Sequence, residues 1–314
     1  MHYLIVIFFL LIYSIYEVYA EPYAYITNQG DNSLSVINTK TNKVIQSITV
    51  GHRPAGVVVS NDNKRVYVSN PESKDISVID TKTLENIKTI KVGGGPLAIA
   101  ISPDNQFVYV ADWYEDSIFI IDTASLSIRD KIKVGKSPSG LVVNPNNKFL
   151  YVANRDENTI MTISLAENKI IDTINVGIAP FGLALNIERN EIYSANVRSN
   201  NVSVVNLKTK EITNIPVGSF PYAIEIDNVG NRLFVTNQRS NSISVISLSE
   251  MKTIETIHVR EYPEGIDLHP NQIHLYVANW FDNIVSVIDI SNLRVIEEIE
   301  VGEGCRAYGE FISR

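Results

Sequence analysis

An all-β ring of seven four-stranded antiparallel blades is the fold this sequence predicts, and three observations carry the prediction. First, an aromatic residue opens the same short phrase at Tyr25, Tyr67, Tyr109, Tyr151, Tyr193, Phe234 and Tyr276, at steps of 42 residues with one step of 41. Second, each period reads as four β-prone runs separated by tight polar turns, and nothing beyond the first twenty residues has a helical period. Third, runs such as Ile76-Ser77-Val78-Ile79 and Val285-Ser286-Val287-Ile288 are nearly continuous in apolar character. A sheet apolar on both faces has to be covered by a neighbour on each side. A four-strand unit of this length matches a β-propeller blade.

One period shows the elements in order. Residues 138–143 form a short apolar run, and Asn144, Pro145, Asn146 and Asn147 supply turn chemistry, because Asn tolerates left-handed backbone and Pro presets φ. Residues 149–154 give the second run, 159–165 the third and 170–176 the fourth, with polar turns at 155–158 and 166–169. A glycine follows the fourth run at Gly51, Gly93, Gly135, Gly177, Gly218 and Gly302, and is expected to supply a backbone angle for the crossing to the next blade. Gly56, Ala98, Gly140, Gly182, Ala223, Gly265 and Ala307 share one repeat position, where converging inner strands leave no room for larger side chains. The amide that ends each phrase, as at Asn154, is expected to bond its own turn.

Closure of the ring is legible too. The repeats begin on a second strand, at residues 23–28, and end on an unpaired first strand, at residues 306–312. Pairing the two completes a blade and removes two open edges together.

Residues 4–15 are almost wholly apolar, and Val18-Tyr19-Ala20 offers a small-residue cleavage site. Residues 1–20 therefore read as a signal peptide and 21–314 as the propeller domain, with Glu21 first in the mature chain. The alternative is an uncleaved anchor, since the segment before the apolar run lacks Lys and Arg. Loss of Glu17 with the signal changes the net charge from −8 to −7, which argues against sequence-independent binding to phosphate backbones. A single cysteine, Cys305, excludes a disulfide framework, a C-x-x-C-H haem site and a multi-cysteine zinc cluster. Export without disulfides points to a bacterial periplasm or cell exterior.

With Tyr25-Ile26-Thr27-Asn28, Tyr67-Val68-Ser69-Asn70, Tyr151-Val152-Ala153-Asn154, Phe234-Val235-Thr236-Asn237 and Tyr276-Val277-Ala278-Asn279, the chain resembles the YVTN-repeat family of seven-bladed propellers. The accompanying phrase runs from Val50-Gly51 to Pro54, from Val92-Gly93 to Pro96 and from Val134-Gly135 to Pro138. The resemblance implies a bacterial periplasmic or surface protein, or an archaeal surface-layer protein, and brings no catalytic motif. Three positions depart from the pattern: Asp112 replaces the Asn, Arg260 the Gly and Cys305 the Pro.

For chemistry the sequence offers little. No nucleophile motif, calcium loop or paired-histidine helix is present, and no cofactor or metal is expected. Cys305 reads as a small buried hydrophobe. One asymmetry remains. The crossings between blades and the turns after the second strand share one face of the disc, and this face collects Trp113, Tyr114, Phe181, Tyr222, Tyr262, Trp280 and Phe281 with Arg155, Arg198, Arg239, Glu264 and Arg306. Aromatics mixed with arginines predict a recognition surface for a protein or small extracellular ligand on a monomeric platform. The same rings would equally serve to pack over loops and fill the channel mouth. An enzyme using Glu264 and the arginines, an accessory subunit of a periplasmic redox enzyme, and single-stranded nucleic-acid binding are the competing readings.

Overall fold

The computed structural model describes residues 22–314; the signal segment and cleavage site expected at residues 1–20 lie outside the described residues. Six sheets of four strands and one of three form the expected ring. Counting from the amino end, blade 1 holds residues 23–49, and blades 2 to 7 hold 57–91, 96–133, 138–175, 180–216, 221–258 and 263–300. Every blade is an antiparallel meander, and in blade 4 its strands are Pro138–Val143, Phe149–Asn154, Thr159–Ser164 and Lys169–Asn175. These match the sequence reading to within a residue. Second and third strands are almost wholly buried, whereas outermost strands such as Lys43–Thr49 bury a single position. The alternation of the outer strand is lost because sheets diverge with radius and leave both its faces open. No α-helix occurs among the described residues, and no helix there is long and apolar enough to cross a membrane.

Carboxy-terminal residues close blade 1, though not as the continuous strand that the alternation suggests. Arg306 N–H donates to Thr27 O (2.9 Å), Tyr25 N–H to Phe311 O (2.9 Å) and Ser313 N–H to Tyr23 O (2.9 Å). Between these rungs the backbone takes positive φ at Ala307 (48°) and Gly309 (134°) and bulges inward. There it pairs with blade 2 instead: Val57 N–H donates to Tyr308 O and Val59 N–H to Glu310 O, each at 3.0 Å. A side chain at Gly309 would strike the Val57 carbonyl. Phe311, fully buried, shares a core cluster with Tyr25 of blade 1, Val57 of blade 2 and Tyr276 of blade 7. One short segment thus ties three blades.

Blade-to-blade packing explains the repeated small residues, with one revision. At Gly56, Gly140, Gly182 and Gly265 an added Cβ would collide with the inner-strand backbone of the next blade, as inner-strand convergence requires. The glycine after the outer strand, however, needs space rather than an unusual angle. Among Gly51, Gly93, Gly135, Gly177, Gly218 and Gly302, positive φ is found at Gly93 alone. A Cβ on Gly177 would lie 2.7 Å from the carboxamide carbon of Asn196, and on Gly218 2.6 Å from that of Asn237. The signature asparagine is therefore packed under the preceding crossing. Its amide also reaches past its own turn: Asn28 donates to Ser33 and Ser35, and Asn237 to Ser242 and Ser244, in the strand that follows.

Candidate functional site

Side chains from three blades meet on the ring axis. Phe181 stacks on Tyr222 with centroids 4.1 Å apart, and Tyr308 packs against both rings at 5.1 and 5.5 Å. The Tyr308 hydroxyl donates to Phe181 O (3.3 Å). Tyr308 reaches the axis because the bulge at 307–309 turns it there. The channel is thereby divided into two vestibules by an aromatic floor.

On the face of the crossings, the floor bounds a cavity of about 530 Å³. Trp113, Tyr114, Arg155, Phe181, Tyr222 and Arg306 line it, six of the twelve residues expected from sequence. Gln29, Arg53, Glu72, Leu97, Phe220 and Gln238 are among the other residues of the wall. Arg155 lies over the Trp113 ring (5.5 Å) and donates to Asp156 (2.8 Å), and Arg53 pairs with Glu72 (3.0 Å). Glu264 is buried beneath this wall. Its Oε2 accepts from Arg306 Nε (2.5 Å), its Oε1 from Gln238 Nε2 (2.8 Å), and Arg306 Nη2 donates to the Tyr222 hydroxyl (2.6 Å). Burial raises the Glu264 carboxyl above its usual range, while Arg306 and Gln238 pull it back. Burial works against the Arg306 charge as well, but Glu264 and Tyr222 outweigh it and hold the guanidinium protonated. Both carboxylate oxygens are committed, so Glu264 is a strut of the wall rather than a free base.

The backbone that presents these side chains follows one rule. The fourth residue after the outer strand of a blade is left-handed, at Arg53, Ser137, Ala179, Phe220, Tyr262 and Gly304 (φ 52–68°). Its N–H is held by the side chain of a turn residue in the preceding blade: Asn200 Oδ1 for Phe220 (3.0 Å), Asn241 Oδ1 for Tyr262 (3.2 Å) and Asn283 Oδ1 for Gly304 (2.7 Å). Left-handed backbone is unusual for a bulky aromatic and costs about 1–3 kcal/mol. At Phe220 and Tyr262 it turns the rings onto this face. Blade 3 departs from the rule, since Lys74 stands where Asn is expected. There the Asp112 carboxylate accepts from Gly95 N–H at 3.0 Å with both oxygens, and a Cβ on Gly94 would overlap it. The Gly93-Gly94-Gly95 run and Asp112, two irregularities of the sequence, are one local solution.

The remaining expected residues lie apart from the cavity wall. Arg198 and Arg239 are exposed, and Arg239 covers the Phe220 ring at 3.8 Å. Tyr262, Trp280 and Phe281 form their own cluster, with Tyr262–Phe281 and Trp280–Phe281 centroids both 4.6 Å apart. Trp280 is half-buried, whereas Phe281 is 53% exposed. Cys305 is buried and donates to Asn279 O (3.1 Å), and burial pushes its thiol up to about 12. It is a packing residue.

A family profile described as YNCE-like beta-propeller matches residues 15–309. The chain belongs to that family. No curated protein matches it. Among solved structures, hydrazine synthase of Kuenenia stuttgartiensis is similar with a TM-score of 0.77 and 21% identity, over 84% of this chain and 91% of that one. A functionally unknown protein from Desulfotomaculum acetoxidans DSM 771 gives 0.79 and 15%, over 92% and 99%. Dihydro-heme d1 dehydrogenase NirN gives 0.71 and 12%, over 90% of this chain and 74% of that one. At these identities the likeness is one of fold.

This YNCE-like ring has a second, differently charged vestibule below the floor, of about 560 Å³, which the sequence reading missed. Glu225, Glu310 and Arg314 line it. Buried Asp267 stands beside them and accepts from Phe311 N–H (2.7 Å) and Ile312 N–H (2.8 Å). Burial raises Glu225, with Asp267 adding to the effect, and pushes Asp267 up to about 7. The signal was available: Glu225 and Asp267 occupy the inner-strand position that holds Val58, Ala100, Val142 and Ala184 in other blades.

Proposed function

We propose that the protein is an exported ligand-binding platform of the YVTN-repeat type, acting in a periplasm or at a cell surface through the aromatic, arginine-bearing vestibule. The observation that carries the reading is the convergence of Trp113, Tyr114, Arg155, Phe181, Tyr222 and Arg306 on one dead-ended cavity. Its volume falls within the range of roughly 300–1,000 Å³ in which small-molecule sites lie. Tyr114 supports it further: a large ring 76% exposed at the mouth costs solubility unless something covers it. An enzymatic reading gains no support from Glu264, whose two oxygens are already bonded. The apolar run at residues 4–15 supports export, and intact-mass measurement on protein from its own compartment should show a chain beginning at Glu21.

Binding is tested by capture. Immobilised protein, a Tyr114→Ala/Arg155→Gln variant and a Lys208→Ala/Lys210→Ala variant of the opposite face are exposed to extract from the native compartment. The reading expects material bound by the first and third and lost from the second. Identical recovery on all three refutes it.

A further inference from the structure

The charges around the upper cavity say more about what fits there. Three guanidiniums line it, from Arg53, Arg155 and Arg306, and each already has one carboxylate partner, in Glu72, Asp156 and Glu264 respectively. The local field is therefore close to balanced, and a multiply charged anion entering the cavity would meet three fixed carboxylates at short range. Donors nevertheless remain. Arg306 spends Nε and Nη2 on Glu264 and Tyr222, and its Nη1 makes no hydrogen bond among the described residues. Arg155 spends Nη1 on Asp156, which leaves the other edge of its fork unused among the described residues. Both guanidiniums line this one cavity, and both act on the Tyr222 hydroxyl, lowering it against the strong upward pull of burial. What they border is aromatic: Trp113 leans on Phe181 at 6.2 Å, and Phe181 stacks on Tyr222.

Resting on the platform reading above, we infer that the upper cavity takes a small, flat aromatic acid carrying one negative charge, its ring against Trp113 and Phe181 and its carboxylate between Arg155 and Arg306. A ring gains from stacking and area burial on such a surface, and a planar carboxylate matches the geometry of a guanidinium fork. One charge suits the site, because its guanidiniums are already matched by three carboxylates, which every further negative charge would meet at short range.

Isothermal titration of the full mature chain tests this with named probes: indole-3-acetate, indole-3-ethanol, acetate and phenyl phosphate. Indole-3-acetate is expected to bind saturably, at least roughly tenfold tighter than the uncharged alcohol, the ringless acid or the dianion, since a hydrogen bond to a charged group is worth about that factor. Arg155→Gln should bring the acid down to the alcohol and leave the alcohol unchanged, with its melting curve confirming a folded protein. Trp113→Leu should weaken both. Equal affinity for acid and alcohol, tighter binding of phenyl phosphate, or no saturable binding by any probe overturns the inference. If no probe binds while the Tyr114→Ala/Arg155→Gln variant still loses captured material, the ligand class is wrong and the platform stands. If capture is also indifferent to that variant, the platform falls with it.

Discussion

Replacing Phe311 by alanine examines how the ring is held shut. Phe311 is fully buried, and its backbone is engaged on two sides: its carbonyl accepts from Tyr25 in blade 1 and its N–H donates to Asp267 in blade 7. Its ring lies in the cluster shared by blades 1, 2 and 7. Removing a buried phenyl group costs about 3–5 kcal/mol, from lost transfer free energy and an unfilled cavity. For a domain of this size, with an unfolding entropy of roughly 2.1 cal/mol/K per residue, each kcal/mol lowers the melting temperature by roughly 1.5–2 °C, so a fall of roughly 5–10 °C is expected. Thermal unfolding should be followed both by far-UV circular dichroism and by tryptophan emission, which reports from Trp113 in blade 3 and Trp280 in blade 7. If closure couples the blades, both signals move together. Ile45→Ala, 49% exposed on the outer strand of blade 1, is the control and should shift the midpoint by no more than about 2 °C. A Phe311→Ala midpoint within about 2 °C of the parent, or two signals that separate widely, would show that the terminal segment is an ornament on a ring stable without it.

Three further outcomes are expected. Gly140→Ala places a methyl group against the Phe181 carbonyl and should cost about 1–3 kcal/mol; an unchanged denaturant midpoint would mean the inner strands part freely. Asp267 has a pKa of about 7 in the fold against 3.8 unperturbed, chiefly through burial, and faces Glu225, Glu310 and Arg314. A raised folded value means its stabilising contribution is complete below 3.8 and is lost as pH rises towards and through 7, so Asp267→Asn should flatten the fall in melting temperature between about pH 4 and 7; parallel slopes in both proteins would count against it. At the exposed cluster, Phe281→Ala should leave the melting temperature within about 2 °C, whereas half-buried Trp280→Ala should lower it by several degrees; the reverse order would mean that Phe281 is the packed ring.

The fold was legible because the signal is repeated: one ambiguous run near Tyr151 means little, but the same run in register seven times leaves one architecture. Half of the expected site residues converge because crossings and second-strand turns must share a face. The floor was not legible. Tyr308 points to the axis through positive φ at Ala307 and Gly309, and neither composition nor alternation encodes a bulge of that kind. The glycine and asparagine roles were also misread, since each acts on a neighbour in the next blade or strand rather than on its own turn. The acids of the lower vestibule were within reach, by comparing one inner-strand position across the repeats.

The bond from Tyr23 to Ser313 joins positions 290 residues apart, while outside the contacts of this terminal segment every strand pairing within a blade is a local hairpin. Chains are made from the amino end, so six blades can complete their own meanders while blade 1 still waits for its inner strand. The assembly therefore passes through an open arc with two exposed edges, the form most prone to pair with another copy. Its lifetime is set by how soon residues 305–313 find blade 1, a contact between the most distant parts of the chain. The bulge onto blade 2 shortens that search. A segment that can dock on either of two adjacent inner strands offers an arriving chain two footholds, and whichever forms first brings the other within reach.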